Sequence, residues 1–185
     1  MDRPDDEVEL VERARRGDAV AFGDLARRHS ATALRVAYII CGSSAEAEDA
    51  LQEGLLKAYR AFGGFRSDSP VRPWLVRIVA NEARNRRRAA GRRVRLAERA
   101  AALPATTGAE PDATVLADLD AGALLDALRR LDERDRTVVA LRYFAGLNEA
   151  EMAVAMDCPA GTVKSRLSRA LTRLRPLVGS EVSDG

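Results

Sequence analysis

Gly146-Leu147-Asn148-Glu149-Ala150-Glu151-Met152-Ala153, followed by Met156-Asp157-Cys158-Pro159-Ala160-Gly161-Thr162-Val163-Lys164-Ser165-Arg166-Leu167, reads as a helix, a tight turn and a second helix. Asn148 has the short polar side chain that caps a helix start, and Glu151 three residues later completes a capping box. Gly146 suits the end of the helix before it, Arg134 to Phe144. Asp157-Cys158-Pro159 breaks the pattern, and Pro159 fits the opening turn of the next helix. In that helix Val163, Leu167, Leu171 and Leu174 recur at spacings of four, four and three, which makes one buried stripe. Lys164, Ser165, Ser168, Arg169 and Thr172 share a different face. Short hydroxyls and long cations are the side chains that reach base edges and phosphates. No acidic residue between Ala160 and Pro176 opposes them. A lone basic helix is usually a solvated surface. Pairing, turn and polar face together favour a helix-turn-helix that enters a major groove.

Working outward, hydrophobic residues make up 46% of the 185-residue chain and aromatics 4%, so the cores must be built mainly from Leu, Val and Ala. The net charge of +2 hides segregation. Asp2, Asp5, Asp6, Glu7, Glu9, Glu12, Asp18 and Asp24 crowd the first 25 residues, while Arg84, Arg86, Arg87, Arg88, Arg92, Arg93 and Arg95 form a basic run. Local patches of this kind, rather than net charge, hold a polyanion. Cys41, Cys158 and His29 lie too far apart for a standard zinc site, so neither a metal nor a cofactor is expected. Both cysteines are expected as buried thiols in a reducing cytosol. The acidic N-terminus without an apolar stretch predicts no signal peptide and a cytoplasmic chain. The apolar run Leu34 to Cys41 is too short to span a bilayer, so no membrane insertion is expected.

Period-two runs and hairpin turn signals are absent, which predicts an all-α chain. Pro104, Thr106, Thr107, Gly108 and Pro111 mark a linker. The expected organisation is two small helical domains, at 1–92 and 118–178, joined by a flexible linker at 93–117 and followed by a disordered tail at 179–185. In the first domain one helix spans about Val20 to Ile40, stopped by Gly42-Ser43-Ser44, and a second spans about Ala45 to Ala61. Glu46, Glu48, Asp49, Gln52 and Glu53 give the second a polar outer face, which by itself reads as solvated surface. A third helix begins near Pro70 and runs into the arginines, with Arg77, Asn81, Arg84 and Arg88 along one exposed side. Between them lies Phe62-Gly63-Gly64-Phe65-Arg66-Ser67-Asp68-Ser69-Pro70. Such a set of aromatics, a cation and hydroxyls can capture single-stranded bases by stacking and edge hydrogen bonds. Equally, its phenylalanines can anchor the loop; Phe62 reads as core and Phe65 is left open between the two.

Three stretches together resemble the bacterial RNA polymerase sigma factors of the extracytoplasmic-function group. They are Ala47 to Tyr59; Phe65-Arg66-Ser67-Asp68-Ser69 leading into Trp74 to Asn81; and Gly161 to Leu167, in that order along the chain. The resemblance implies that Asp49, Gln52 and Glu53 meet the β′ clamp helices of core RNA polymerase, with the β subunit as a further contact. It implies that Phe65, Arg66, Ser67, Asp68, Arg77, Asn81, Arg84 and Asn85 read and open the −10 element, holding non-template single strand. It implies that Arg142, Glu149, Lys164, Ser165, Ser168 and Arg169 read the duplex −35 element. No catalysis and no small-molecule substrate are implied; whether an anti-sigma factor controls the chain is left open. Ser69-Pro70-Val71-Arg72-Pro73 before Trp74, and Glu149 where several relatives carry an aromatic, depart from the pattern. A recombinase with a helix-turn-helix tail would need strands that the sequence lacks. A stand-alone helix-turn-helix regulator would not need the first two stretches.

Overall fold

The computed structural model describes residues 4–100 and 122–179, all helix and connecting turns. The N-terminal group comprises α1 (Pro4–Arg15), α2 (Ala19–Cys41), α3 (Ser44–Ala61), a 3-10 turn (Phe62–Gly64) and α4 (Val71–Ala100). The C-terminal group comprises α5 (Gly122–Arg130), α6 (Glu133–Val139) running into a π-helical turn (Ala140–Phe144), α7 (Glu149–Met156) and α8 (Ala160–Gly179).

Helix ends follow from local chemistry. Asp18 caps α2 by accepting from the amides of Val20 at 2.9 Å and Ala21 at 3.1 Å. At the other end Gly42 takes the left-handed conformation, φ 81°, and its N–H donates to Tyr38 O at 2.8 Å. Ser43 caps α3. Within α3, Gly54 lets two backbones meet: a Cβ there would stand 2.8 Å from Val79 Cγ2 and 3.1 Å from Val79 Cα of α4. Asn148 and Glu151 form the expected capping box, with amide bonds of 2.9 and 2.8 Å. Gly146 sits at φ 65° and Asp157 ends α7 in the left-handed region, a position that Asp tolerates.

Two apolar clusters hold the helices. One joins Leu10, Val11 and Ala14 of α1 to Phe22, Leu25, Ala58, Phe62, Phe65, Val71 and Leu75. The other is continuous across both groups, from Val36, Ile39, Ile40, Val79 and Ala83 to Leu128, Leu141, Leu147, Met152 and Val163.

Several expectations change. α1 was not anticipated, because its acids hide a short apolar stripe. α4 continues to Ala100, so residues 93–100, expected as linker, are helical. The rest of that linker, the domain start expected at 118 and the tail 180–185 lie outside the described residues. The helix expected over Arg134 to Phe144 changes register at Ala140, where the Ala145 amide donates to Ala140 O at 3.1 Å, five residues back. Cys41 and Cys158 are half-buried rather than buried. Burial still pushes the Cys41 thiol up to about 12, and it donates to Ala83 O at 3.6 Å.

Candidate nucleic-acid interface

α8 sits on α6 and α7 through Val163, Ala170 and Leu174, which are buried, with Leu167 and Leu171 half-buried beside them. Arg173 ties it to the start of α6 through Asp135 at 2.6 Å and Asp132 at 3.1 Å. The opposite face carries Lys164, Ser165, Ser168, Arg169 and Thr172, all exposed. Ser165, Arg169 and Thr172 bond to carbonyls of their own helix at 3.1, 3.3 and 3.0 Å, leaving the face open to a ligand. Arg142, on the π turn, is exposed and donates to Leu147 O at 3.0 Å, and Glu149 is exposed at the first turn of α7. The six residues expected at the −35 end are thus solvent-accessible and belong to one three-helix unit.

The loop before α4 is built on an aromatic stack. Phe62 packs against Phe22 at 5.3 Å, Phe65 at 5.1 Å and Trp74 at 5.4 Å between ring centroids. Phe65 is 3% exposed and packs between Phe62 and Trp74, so it supports the loop from below. Arg66, Ser67 and Asp68 project outward. Arg66 forms an ion pair with Asp68 at 2.7 Å, and that hydrogen bond holds the Asp68 carboxyl below its usual range.

Along α4, Arg77, Asn81 and Arg84 are half-buried and Asn85 is exposed. An open cationic side was expected; three of its residues are instead half-buried, and α7 packs against α4. Asn81 Oδ1 accepts from Arg84. Burial lowers the Arg84 pKa, with Glu133 opposing and Arg88 and Arg166 adding to the shift. A cleft of about 440 Å³ separates Phe65, Arg66, Pro70, Pro73 and Trp74 from Ala150, Glu151 and Val154 of α7.

On α3, Asp49, Gln52 and Glu53 are all exposed. Asp49 pairs with Arg86 at 2.8 Å and Glu53 with Lys57 at 3.6 Å. Beside Gln52 lies an apolar cleft of about 500 Å³ lined by Ala19, Phe22, Leu55, Leu56 and Tyr59. Leu56 is 51% and Tyr59 43% exposed. Sequence reading missed this patch, although both residues fall off the inward stripe of α3. Among the described residues no group of three or more His, Cys, Asp or Glu gathers as a metal site, and no helix is long and apolar enough to cross a membrane.

A basic recognition face on the second helix of a capped helix-turn-helix, joined to a second helical group with its own cationic helix, defines a helical DNA-binding protein. Comparison with known proteins narrows this. Residues 25–93 match the family model for sigma-70 region 2, and residues 121–174 match that for sigma-70, region 4. The RNA polymerase sigma-H factor of Pseudomonas aeruginosa is 37% identical over 170 residues, covering 88% of each chain. The ECF RNA polymerase sigma-E factor of Escherichia coli K12 is 35% identical over 185 residues, covering 91% of this chain and 94% of that one. Among solved structures, CnrH in complex with the cytosolic domain of CnrY superposes with a TM-score of 0.69 at 26% identity, over 95% of this chain and 98% of that one. RpoE of Bartonella quintana in complex with the anti-sigma factor NepR gives 0.67 at 30% identity, over 81% and 92%. The chain belongs to the extracytoplasmic-function group of sigma-70 RNA polymerase sigma factors. It directs RNA polymerase to promoters for transcription initiation, as a non-catalytic subunit.

Proposed function

We propose that the chain divides promoter recognition between its two ends. Lys164, Ser165, Ser168 and Arg169, flanked by Arg142 and Glu149, read the −35 duplex. The observation that carries this is the exposed, acid-free face of α8. Arg66, Ser67 and Asp68 on the loop, with Arg77, Asn81, Arg84 and Asn85 on α4, read and open the −10 element. Phe65 acts there by holding the loop's shape. Unstacking a base costs a few kcal/mol, so the loop and the cationic helix must act together on the non-template strand. The division of labour assigns 1–92 to core binding and −10 opening, 118–178 to the −35 element, and 93–117 to the connection between them.

Asp49, Gln52 and Glu53 dock on the β′ clamp helices, with the β subunit as a second contact. The exposed Leu56 and Tyr59 beside Gln52 support a protein partner on that side, since exposed apolar surface rimmed by polar groups marks such sites. The chain works in the cytoplasm, where its polymerase is. The partners named for CnrH and for the Bartonella protein support control by an anti-sigma factor here too. Reversing Asp49 and Glu53 together to Lys is expected to lower core-polymerase affinity on the order of tenfold or more, because like charges across an interface are repelled. Co-elution with core polymerase on gel filtration measures it. Undiminished co-elution would remove that face from the interface.

A further inference from the structure

At the junction of the two helical groups, beside the carbonyl end of α2, lies a pocket of about 360 Å³. Cys41, Ala90 and Val94 give it apolar walls, and its charged lining is Glu46 with three arginines, Arg87, Arg129 and Arg136. Arg136 is fully buried. It donates to Ile40 O at 3.4 Å, to Leu131 O at 2.9 Å and to Arg129 O, and its Nε–H has no partner among the described residues. Arg87 is half-buried and donates to the same Ile40 O at 2.9 Å. Two guanidiniums thus converge on one carbonyl oxygen, and among the described residues neither hydrogen-bonds a carboxylate. Arg129 differs: it reaches Gly42 O at 3.3 Å and pairs with Asp126 at 2.8 Å.

Buried charges are ordinarily paired, because removing an ion from water is costly. The α2 carbonyls carry the partial negative charge of a helix C-terminus, which eases the two cations but leaves both formal charges in place. Burial lowers the Arg87 pKa, and the charges of Glu133 and Glu46 only oppose that shift. An anion is the partner this arrangement lacks, and the pocket is where one can enter. Charge balance narrows its class. Two unpaired guanidiniums match a phosphate monoester, at about −1.5 to −2 near pH 7, better than a single carboxylate. The planar arginine fork also suits phosphate oxygens. The volume falls within the range of small-molecule sites, about 300–1,000 Å³, and leaves room for more than phosphate alone. Glu46 repels a bare anion but accepts from a hydroxyl or amino group, so the ligand must bring a donor as well.

We propose that this pocket binds a small organic phosphate monoester bearing hydroxyl groups. Its phosphate lies on Arg87 and Arg129 beside Arg136, a hydroxyl donates to Glu46, and its carbon skeleton rests on Cys41, Ala90 and Val94. None of the residues assigned to promoter or polymerase lines the pocket. A sugar phosphate and a nucleoside monophosphate share this chemistry.

The test is isothermal titration calorimetry on the full chain at fixed ionic strength, with ribose 5-phosphate, adenosine 5′-monophosphate, inorganic phosphate and ribose as probes. One or both esters are expected to saturate a single site, with inorganic phosphate at least about tenfold weaker and ribose not bound. Which ester binds more tightly tells whether the walls hold a sugar alone or a base as well. Arg87→Gln is expected to weaken the ester at least about tenfold, the loss of one charge-assisted hydrogen bond. Ala90→Leu keeps every charge and a good helix former while filling the pocket, and should weaken it as much with an unchanged circular dichroism spectrum. Replacing Lys164 and Arg169 by Ala should leave the affinity within about twofold. Affinity lost with that pair and kept in Ala90→Leu would put the phosphate on the DNA-reading face and overturn the site. So would inorganic phosphate binding as tightly as the esters, or no saturable binding of either ester at millimolar concentration.

Discussion

Phe62→Ala is expected to destabilise the N-terminal group by about 3–5 kcal/mol, the range for losing a buried aromatic with partial collapse of the cavity. Phe62 is 1% exposed and is the ring on which Phe22, Phe65 and Trp74 all converge. The loss therefore falls on stability and on the proposed −10 loop at once. Trp74 is the chain's sole tryptophan and packs directly on Phe62, so its fluorescence during urea unfolding reports on this group. A stable variant with a loss below about 1 kcal/mol would mean that the stack does not organise the loop. Phe62→Leu keeps most of the apolar volume and is expected to fall between the two.

The second large effect concerns the recognition face. Replacing Lys164 and Arg169 together by Ala is expected to cost about 2–4 kcal/mol in −35 duplex affinity, from base and phosphate contacts combined. The slope of log affinity against log salt should shrink by about 2, because each lost cation–phosphate contact releases roughly one counterion fewer. Both side chains are exposed and make no contact across the core, so the fold should persist. Anisotropy titrations at several salt concentrations measure both quantities. An unchanged slope would place the DNA on another face of α8.

Much of this architecture was written locally. Asn148 with Glu151, Gly146 and the Asp157-Cys158-Pro159 break each act within four residues, so the helix-turn-helix could be bounded from the sequence. The same holds for α2, where Asp18 and Gly42 supply both ends. α1 was overlooked because five of its twelve residues are acidic, although Leu10, Val11 and Ala14 carry a readable apolar stripe. The π turn left no local sign. Phe65 could be placed only once Phe62 and Trp74 were seen to flank it. Hardest of all was the junction. An arginine such as Arg136 reads as surface in any window, and only the folded chain brings the carbonyls of Ile40, Arg129 and Leu131 to one guanidinium. For the same reason the Arg77–Arg84 side was expected to be open, whereas it is half-buried: the helix period gives a face but not how far it is buried. The residues proposed to read DNA were thus visible in the chain, whereas the contacts that join the two helical groups were not.

Reconstituted transcription tests the account most directly: sigma-free core polymerase, a library of genomic promoter fragments, and the chain added or withheld. The account predicts discrete transcripts that require the chain and that fade with the Lys164 and Arg169 double replacement. Binding of duplex DNA by the chain alone, with no core association and no transcript from a competent polymerase, would contradict it and leave a stand-alone helix-turn-helix regulator.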